Sequence, residues 1–393
     1  MGKGAEEMEY FEFYNPVKLL CGDSALENIP YELARLGSKR PLVLISRTML
    51  ENGMLEQIGG RYQAIIETDI PKDSSFSVVD ELAGRARLDG CDGVMAIGGG
   101  SVLDTAKAVR VLLSQNKTML RDLLGSEWLT RADRVPFLMV PTTSGTGSEC
   151  TGIAVIQDDK NGCKQEIVSD QFLPDVAVLD PRSTEKLPPN LTAACGMDAL
   201  THAVEAYSGI QRNPISNAYA YSAVELIGKN LIAAVREPKN QSYRMAMAYA
   251  SAIAGIAFSN SMVGLVHAAA HAIGSVCGVS HGEAVGLMLP RVMRWQMDQA
   301  GAEYGELLCA FCGAEYYAET PYLQRGEKLV EAIEDTLLHL HQKCGIPTTL
   351  KQAGVDRKQL SKIVNTAVND GALLANRKPV RKEDIFSILQ NAM

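Results

Sequence analysis

Residues 93–113, GVMAIGGGSVLDTAKAVRVLL, join a strand pattern to a helical pattern through three glycines and a serine. The run before the turn is continuous and apolar, as in a strand that is buried on both faces. Gly98, Gly99 and Gly100 let the backbone approach a ligand closely, and the helix that follows Ser101 presents free N–H groups at its start. The stretch predicts a pyrophosphate-binding turn, although it lacks the G-x-G-x-x-G spacing of the standard dinucleotide fingerprint.

Similar strand patterns recur on both sides of this turn, and helical patterns separate them. The apolar runs are residues 41–46, 63–67, 136–140 and 176–179, and the helical patterns include residues 78–88 and 102–113. Buried runs that alternate with helices predict βαβ units and a mainly parallel sheet. From residue 191 onward, Ala-rich helical patterns follow one another. We therefore predict an α/β nucleotide-binding domain over residues 1–185 and an all-α domain over residues 186–393.

The composition excludes several classes of protein. The chain has 393 residues, 46% of them hydrophobic and 21% charged, which suits two globular domains. A formal charge of −8 argues against binding to nucleic acid or to an anionic membrane, since both require a basic surface. The N-terminus has no apolar core of signal-peptide length, and no later stretch is apolar enough to span a bilayer. Nine scattered cysteines do not resemble a disulfide framework, so we expect a cytoplasmic protein.

A second loop of small polar residues follows another apolar run. Residues 141–149, PTTSGTGSE, place five hydroxyl side chains within seven residues, which offers donors to a phosphate, a ribose or an amide. Two such loops at the ends of neighbouring parallel strands favour a ligand at the C-terminal edge of the sheet. The two loops together predict a nucleotide site.

Four of the six histidines cluster in the second half of the chain. Asp198 and His202 have i, i+4 spacing, which places a carboxylate and an imidazole on one helix face. His267 and His271 repeat this spacing, and His281 follows ten residues later, where a loop or a helix start is expected. A single histidine on an apolar helix is usually a core residue. Four histidines and one aspartate that cluster on apolar helices favour a shared functional site instead.

Several titratable groups that are buried together need a shared partner, and a divalent metal supplies one. Imidazole and carboxylate ligands fit Fe²⁺ or Zn²⁺, whereas a Mg²⁺ site would be rich in oxygen. The ligand types do not decide between iron and zinc. The spacing also leaves open which of the four histidines is not a ligand and remains for proton transfer.

These motifs resemble those of the iron-containing (group III) alcohol dehydrogenases, a family that includes lactaldehyde reductases and butanol dehydrogenases. The matching segments, in family order, are GGGSVLDTAK (98–107), PTTSGTGSE (141–149), LPDVAVLDP (173–181), GMDALTHAVEAY (196–207), GLVHAAAHAIG (264–274) and HGEAVG (281–286). The resemblance implies a dehydroquinate-synthase-like fold, in which an N-terminal α/β domain and a helical domain form a cleft.

The resemblance also assigns roles to individual residues. It implies that the metal ligands are Asp198, His202, His267 and His281, and that His271 faces the substrate and the nicotinamide. Phe258 lies where relatives often have an aromatic wall beside the substrate. The residues that match cofactor-lining positions are Gly98, Gly99, Gly100, Ser101, Asp104, Thr142, Thr143, Thr146, Thr151 and Lys164.

One position departs from the family pattern. Many relatives that resemble NAD-specific enzymes carry an Asp after the second strand, where it would bond the adenosine ribose and repel a 2′-phosphate. This chain has Ser46 there, followed by Arg47. Loss of the carboxylate and a nearby guanidinium predict that NADP(H) is acceptable as the cofactor, and they leave open whether it is preferred over NAD(H). A large preference for NADH would contradict this prediction.

The predicted activity is reversible hydride transfer between a nicotinamide and a small primary alcohol, diol or aldehyde, with metal assistance. A dehydroquinate-synthase-like lyase would need a pocket rich in Lys and Arg, and the helices here are apolar. Maleylacetate-reductase-like members lack the metal aspartate, which this chain has as Asp198. A non-catalytic nucleotide or metal sensor is the alternative from another class.

The aromatic N-terminal segment, residues 9–16, is expected to form an edge strand that pairs across a homodimer or a larger homo-oligomer.

Overall fold

The computed structural model describes residues 10–59, 63–125 and 134–393. The strands are β1 Lys18–Cys21, β2 Pro41–Ile45, β3 Ile65–Glu67, β4 Gly93–Gly98, β5 Phe137–Pro141, β6 Ile153–Asp158, β7 Cys163–Val168 and β8 Val176–Leu179. The helices of the first half are α1 Ile29–Arg35, α2 Arg47–Glu51, α3 Met54–Ile58, α4 Phe76–Leu88 and α5 Gly100–Ser114. Those of the second half are α6 Pro189–Ser208, α7 Pro214–Arg236, α8 Gln241–Ser259, α9 Leu265–Cys277, α10 His281–Trp295, α11 Met297–Cys312, α12 Ala314–Glu319, α13 Arg325–Cys344, α14 Leu360–Ala367 and α15 Lys382–Asn391.

Six of the strands form one parallel sheet in the order β1-β8-β5-β4-β2-β3. Every residue of β2, β4, β5 and β8 is buried, which explains why these strands read as continuous apolar runs. Helices α4 and α5 cover one face of the sheet, and α1 and α3 cover the other. The predicted α/β fold with a parallel sheet is confirmed.

Two features of the first half differ from the prediction. Strands β6 and β7 form a separate antiparallel hairpin. In addition, residues 10–16, the described part of the aromatic segment, form no strand within the single chain, and the edge strand β1 begins only at Lys18. Pairing of this segment with a second copy stays a prediction. Residues 15 and 16, Asn-Pro, end the aromatic run, and both residue types are poor strand formers.

The second half is helical, and its large apolar core is built mainly from Ala, Leu, Val and Ile. The last strand ends at Leu179 and the first long helix begins at Pro189, so the predicted boundary at residue 185 falls in the connection between them. In the described ranges, no helix is long and apolar enough to cross a membrane.

The loop after β5 packs directly onto helix α8 of the second half. Gly147 has a φ of 58°, and a Cβ at this position would lie 2.5 Å from the carbonyl oxygen of Ser251. The backbone N–H of Gly147 also donates to Ser251 Oγ at 3.2 Å. Glycine is therefore required both for its conformation and for the close approach of the two halves. This contact brings the loop next to the helices that carry the histidines.

Candidate active site

Helix α6 presents three polar side chains on one face. Asp198, His202 and Glu205 follow one another at spacings of four and three residues, and all three are buried. Most of the other buried residues of α6 are apolar, so this face is the part of the helix that carries ionisable groups. The i, i+4 arrangement of Asp198 and His202 that was read from the sequence is present.

Helices α9 and α10 bring two further histidines to the same carboxylate. Asp198 Oδ1 lies 3.3 Å from Nε2 of His281 and 3.8 Å from Nε2 of His267. Ligand atoms of these three residues all lie within 4.8 Å of one another, which is close enough to hold a single metal ion. His281 is the first residue of α10, in agreement with the expected helix start.

His202 lies beside this group of three. Its Nδ1 is 3.8 Å from Asp198 Oδ1, and its ring stacks on the ring of His267 with centroids 4.5 Å apart. The ring of Phe258 stacks on the other side of His202, at 4.2 Å. Phe258, the predicted substrate wall, is buried, and it packs both on His202 and in the apolar core of the second half.

The protonation and hydrogen bonding of these residues fit a metal site. Asp198 Oδ1, His202 Nδ1 and His267 Nε2 are buried and have no hydrogen-bond partner, a costly arrangement unless another group satisfies them. Burial lowers the pKa of His202 to about 3 and that of His267 well below its usual value. Burial opposes the ionisation of Asp198, but the surrounding histidines lower its pKa. Neutral imidazoles and an ionised carboxylate are the forms that bind metal.

Glu205 contacts this cluster through His267, on the side of the ring away from Asp198. The sequence analysis assigned it no role. Its Oε2 lies 2.5 Å from Nδ1 of His267, and its Oε1 accepts the backbone N–H of Val266 at 2.7 Å. A carboxylate at Nδ1 fixes the tautomer that leaves the lone pair of Nε2 toward Asp198, as in the carboxylate–histidine–metal arrangement. The spacing of seven residues from Asp198, two helical turns, is a signal that could have revealed it.

Glu205→Gln is expected to weaken metal binding by about 10–100-fold while leaving the protein folded. The amide can no longer accept from both His267 and Val266, so the orientation of the imidazole becomes less fixed. The dissociation constant of the metal can be measured by competition with a coloured chelator. Glu32→Gln is the matched control, because Glu32 is also buried but pairs with Lys18 and Arg35 far from the histidines. Equal affinity in wild type and Glu205→Gln would contradict this role.

His271 differs from the other three clustered histidines in its partner. Its Nδ1 lies 3.0 Å from Oδ2 of Asp370, and its ring is 5.3 Å from the ring of His281. Burial opposes a charge on His271, but the hydrogen bond and the negative charge of Asp370, with the charge of Glu166, raise its pKa above the usual value. Its side chain is 31% exposed, so it is placed beside the metal cluster and within reach of a ligand.

The two predicted phosphate loops meet each other at the edge of the sheet. A Cβ at Gly99 would lie 3.3 Å from Thr143 Cγ2, and a Cβ at Gly100 would lie 3.1 Å from Thr146 Cγ2. The N–H of Thr142 donates to the carbonyl oxygen of Gly98 at 2.9 Å. Glycine at these positions thus lets the two loops pack closely, with the start of helix α5 beside the second loop. A helix start of this kind suits a pyrophosphate.

Asp104 and Thr151 use their polar atoms within the protein. Asp104 accepts from Ser148 Oγ at 2.7 Å and from the N–H of Val155 at 3.0 Å. The fully buried Lys107 donates to Thr151 Oγ1 at 2.9 Å and to the carbonyl oxygen of Ile153 at 2.6 Å. These bonds attach helix α5 to the second loop and to β6. Burial lowers the pKa of Lys107 to about 8. Asp104 and Thr151, which were predicted to line the cofactor, therefore hold the loops in place through these bonds.

Thr151→Val is expected to lower the free energy of unfolding by about 1.5–3 kcal/mol, because the buried Lys107 ammonium loses an acceptor. Denaturant unfolding followed by circular dichroism measures this change. Thr366→Val is the matched control. The hydroxyl of Thr366 donates to the carbonyl oxygen of Lys362 on an exposed helix face, so its removal should lower the free energy of unfolding by less than about 1 kcal/mol. Equal effects of the two substitutions would show that the contact with Lys107 contributes little.

The remaining predicted cofactor residues lie along the same edge. The N–H of Ser46 donates to the carbonyl oxygen of Ile97 at 3.1 Å, which holds it next to the glycine turn. Lys164 extends from β7 to Asp73, with 2.7 Å between Nζ and Oδ1. The N–H of Asp73 donates to Ser101 Oγ at 3.3 Å, so Asp73 joins the glycine turn although no motif indicated it.

A parallel-sheet edge rich in glycine and hydroxyl side chains, beside a buried histidine and carboxylate cluster, defines a class of protein. Such a site suits an enzyme that binds a dinucleotide and a metal side by side. Comparison with known proteins agrees with this class.

Residues 16–181 match the iron-containing alcohol dehydrogenase family, and residues 192–393 match the C-terminal part of the Fe-containing alcohol dehydrogenase family. The chain is 33% identical to long-chain-alcohol dehydrogenase 1 of Geobacillus thermodenitrificans, with 94% of each chain covered. It is 31% identical to the NAD-dependent methanol dehydrogenase of Bacillus methanolicus, over 97% of this chain and 99% of that protein. A solved structure of 1,3-propanediol oxidoreductase superposes with a TM-score of 0.89 at 29% identity, covering 98% of this chain and 100% of the other.

The chain belongs to the iron-containing alcohol dehydrogenase family. It is an oxidoreductase that interconverts alcohols and aldehydes with a nicotinamide cofactor. The family, the fold class and the enzyme class predicted from the motifs are confirmed, and the lyase and sensor alternatives have no support.

Proposed function

We propose that this enzyme reduces small aldehydes, and oxidises the matching primary alcohols or diols, at a metal held by Asp198, His202, His267 and His281. The observation that carries the proposal is the group of Asp198, His267 and His281, whose ligand atoms lie within 4.8 Å of one another. Buried atoms without a hydrogen-bond partner accompany it, and they include His202 Nδ1, 3.8 Å from Asp198 Oδ1. These residues would hold a divalent metal, which would supply Lewis acidity toward the oxygen of the substrate.

We propose Fe²⁺ as the metal, with Zn²⁺ as the alternative. The family name and the set of three imidazoles and one carboxylate support iron, and the same ligands suit zinc. Mass spectrometry of protein purified without oxygen, followed by activity after reconstitution with each metal, distinguishes the two. Higher activity with zinc than with iron would overturn the assignment of iron.

His271 is the residue that we assign to proton transfer. Asp370 occupies its Nδ1, so Nε2 is left to exchange the proton of the substrate hydroxyl. An imidazole suits this task because it changes charge near neutral pH. The apolar, Ala-rich helices and Phe258 favour a substrate of small size with few charges. Turnover of a panel of short aldehydes and diols with NADH tests this part of the proposal, and no turnover of any of them would overturn it.

The cofactor is proposed to lie along the edge formed by the residues predicted above, with its pyrophosphate at Gly98–Ser101. Support comes from the contact between the two loops and from the position of Ser46 beside the turn. NAD(H) is the cofactor named for the methanol dehydrogenase relative. Acceptance of NADP(H) is proposed from Ser46 and Arg47, which leave no carboxylate at the end of β2.

We further propose that the enzyme is a cytoplasmic homodimer or larger homo-oligomer. The described cysteines form no disulfide, which suits a reducing compartment. Tyr10 is 90% exposed, and β1 is an edge strand of the sheet, so this side of the molecule offers an apolar surface and an unpaired strand edge. Light scattering coupled to size exclusion gives the mass in solution, and a mass of one chain would overturn the oligomer.

A further inference from the structure

The adenosine end of the proposed cofactor site can be located from the register of the sheet. Strand β2 lies next to β4, with Ile45 paired to Ile97, so Ser46 is level with Gly98. Adjacent strands are about 4.8 Å apart, which is the scale that separates a pyrophosphate from the ribose attached to it. With the pyrophosphate at the glycine turn, the adenosine ribose lies over Ser46.

The next strand brings an acidic residue to the same level. Strand β3 pairs in parallel with β2, with Leu44 opposite Glu67. Asp69 follows Glu67 by two residues, as Ser46 follows Leu44, and an ion pair with Arg47 holds Asp69 beside the end of β2. A carboxylate is therefore present at the ribose end after all, supplied by the third strand instead of the second.

Asp69 also forms an ion pair with Arg47, the guanidinium on which acceptance of NADP(H) was predicted. The side chains of Arg47 and Asp69 are 65% and 82% exposed, so both can reach a bound ligand. The neighbouring Glu67 is already paired with Arg85, at 2.6 Å between Nη2 and Oε1. The positive charge of Arg47 is thus balanced before any nucleotide binds.

We propose that Asp69 sets the nucleotide preference of this enzyme and favours NAD(H) over NADP(H). Its carboxylate accepts a hydrogen bond from a ribose hydroxyl and neutralises the charge of Arg47. A 2′-phosphate would meet the carboxylate of Asp69 and would have to displace it from the guanidinium. Ser46 and Arg47 could therefore bind NADP(H), but the carboxylate of Asp69 weakens that binding by occupying the guanidinium of Arg47. This inference rests on the proposed cofactor site and names the residue that discriminates within it.

The test compares kcat/KM for NADH and NADPH with one short aldehyde, in wild type and in Asp69→Asn. Wild type is expected to prefer NADH by at least about 10-fold, and Asp69→Asn to move the ratio toward NADPH by about 10-fold or more, chiefly through the KM of the nucleotide. Raising the salt concentration should shrink this shift, because both side chains are exposed. Asp89→Asn is the control, since Asp89 is an exposed carboxylate at the C-terminal end of α4.

A double variant separates the two contributions. When Arg47→Gln is added to Asp69→Asn, the gain with NADPH should disappear, because no guanidinium remains to bind the phosphate. A wild-type preference for NADPH, or an Asp69→Asn ratio equal to that of Asp89→Asn, would overturn the assignment of Asp69. Failure of the proposed function gives a different result, which is no turnover of metal-loaded wild type with either nucleotide.

Discussion

His267→Ala is expected to lose the metal and the activity together, with kcat falling by about 10³-fold or more. His267 is the histidine most firmly held in the cluster, since Glu205 bonds its Nδ1 while Nε2 lies 3.8 Å from Asp198 Oδ1. Removing the imidazole takes away one ligand and leaves the carboxylate of Glu205 buried without that partner. The remaining side chains no longer satisfy a four-coordinate ion.

The measurement is metal content by mass spectrometry on the same samples that are assayed for aldehyde reduction. His339→Ala provides the control, because His339 is exposed on α13, outside the cluster. Retention of one metal per chain in His267→Ala would contradict the ligand assignment, and so would loss of metal with activity preserved.

His271→Ala is expected to keep the metal and to lower kcat/KM by about 10²–10⁴-fold, the range typical for loss of a general acid or base. Burial disfavours the charged form of His271, but Asp370 raises its pKa above the usual value. Alcohol oxidation needs the neutral imidazole, so its kcat/KM should rise with pH through this pKa, while aldehyde reduction should fall. In His271→Ala this inflection should be absent.

Asp370→Asn gives a graded version of the same test. Without the carboxylate the pKa of His271 falls, so the inflection in alcohol oxidation should move to lower pH with the metal retained. The pH dependence of kcat/KM for NAD-linked oxidation measures the position of the inflection. An unchanged pH profile in both variants would show that another group moves the proton.

The fold was predictable where the burial of one element leaves a recognisable pattern in that element's own residues. The runs at β2, β4, β5 and β8 are buried on both faces, and burial alone produces their apolar character. The hairpin β6–β7 was missed because its strands mix polar and apolar residues. Asn161-Gly162, a strong hairpin signal, lies between them, and Gly162 has a φ of 66°.

The site was predictable where its members share a helix or a motif. The spacing of Asp198 with His202, and of His267 with His271, indicates the cluster. The assignment of four of these side chains as ligands, with His271 for proton transfer, comes from the family resemblance and stays a prediction. Asp370 could not be found in this way, since it lies 99 residues from the histidine that it bonds. The same reason hid Asp69, whose contact with Arg47 exists only because β3 lies beside β2.

The central claim is that one metal ion, held by Asp198, His202, His267 and His281, is required for nicotinamide-linked turnover. The most direct measurement is aldehyde reduction by NADH in protein stripped of metal, verified by mass spectrometry, and then titrated with Fe²⁺ without oxygen. Activity should be absent from the stripped protein and should rise in proportion to bound iron, reaching a plateau at one ion per chain. Full activity in the verified metal-free protein would contradict the account.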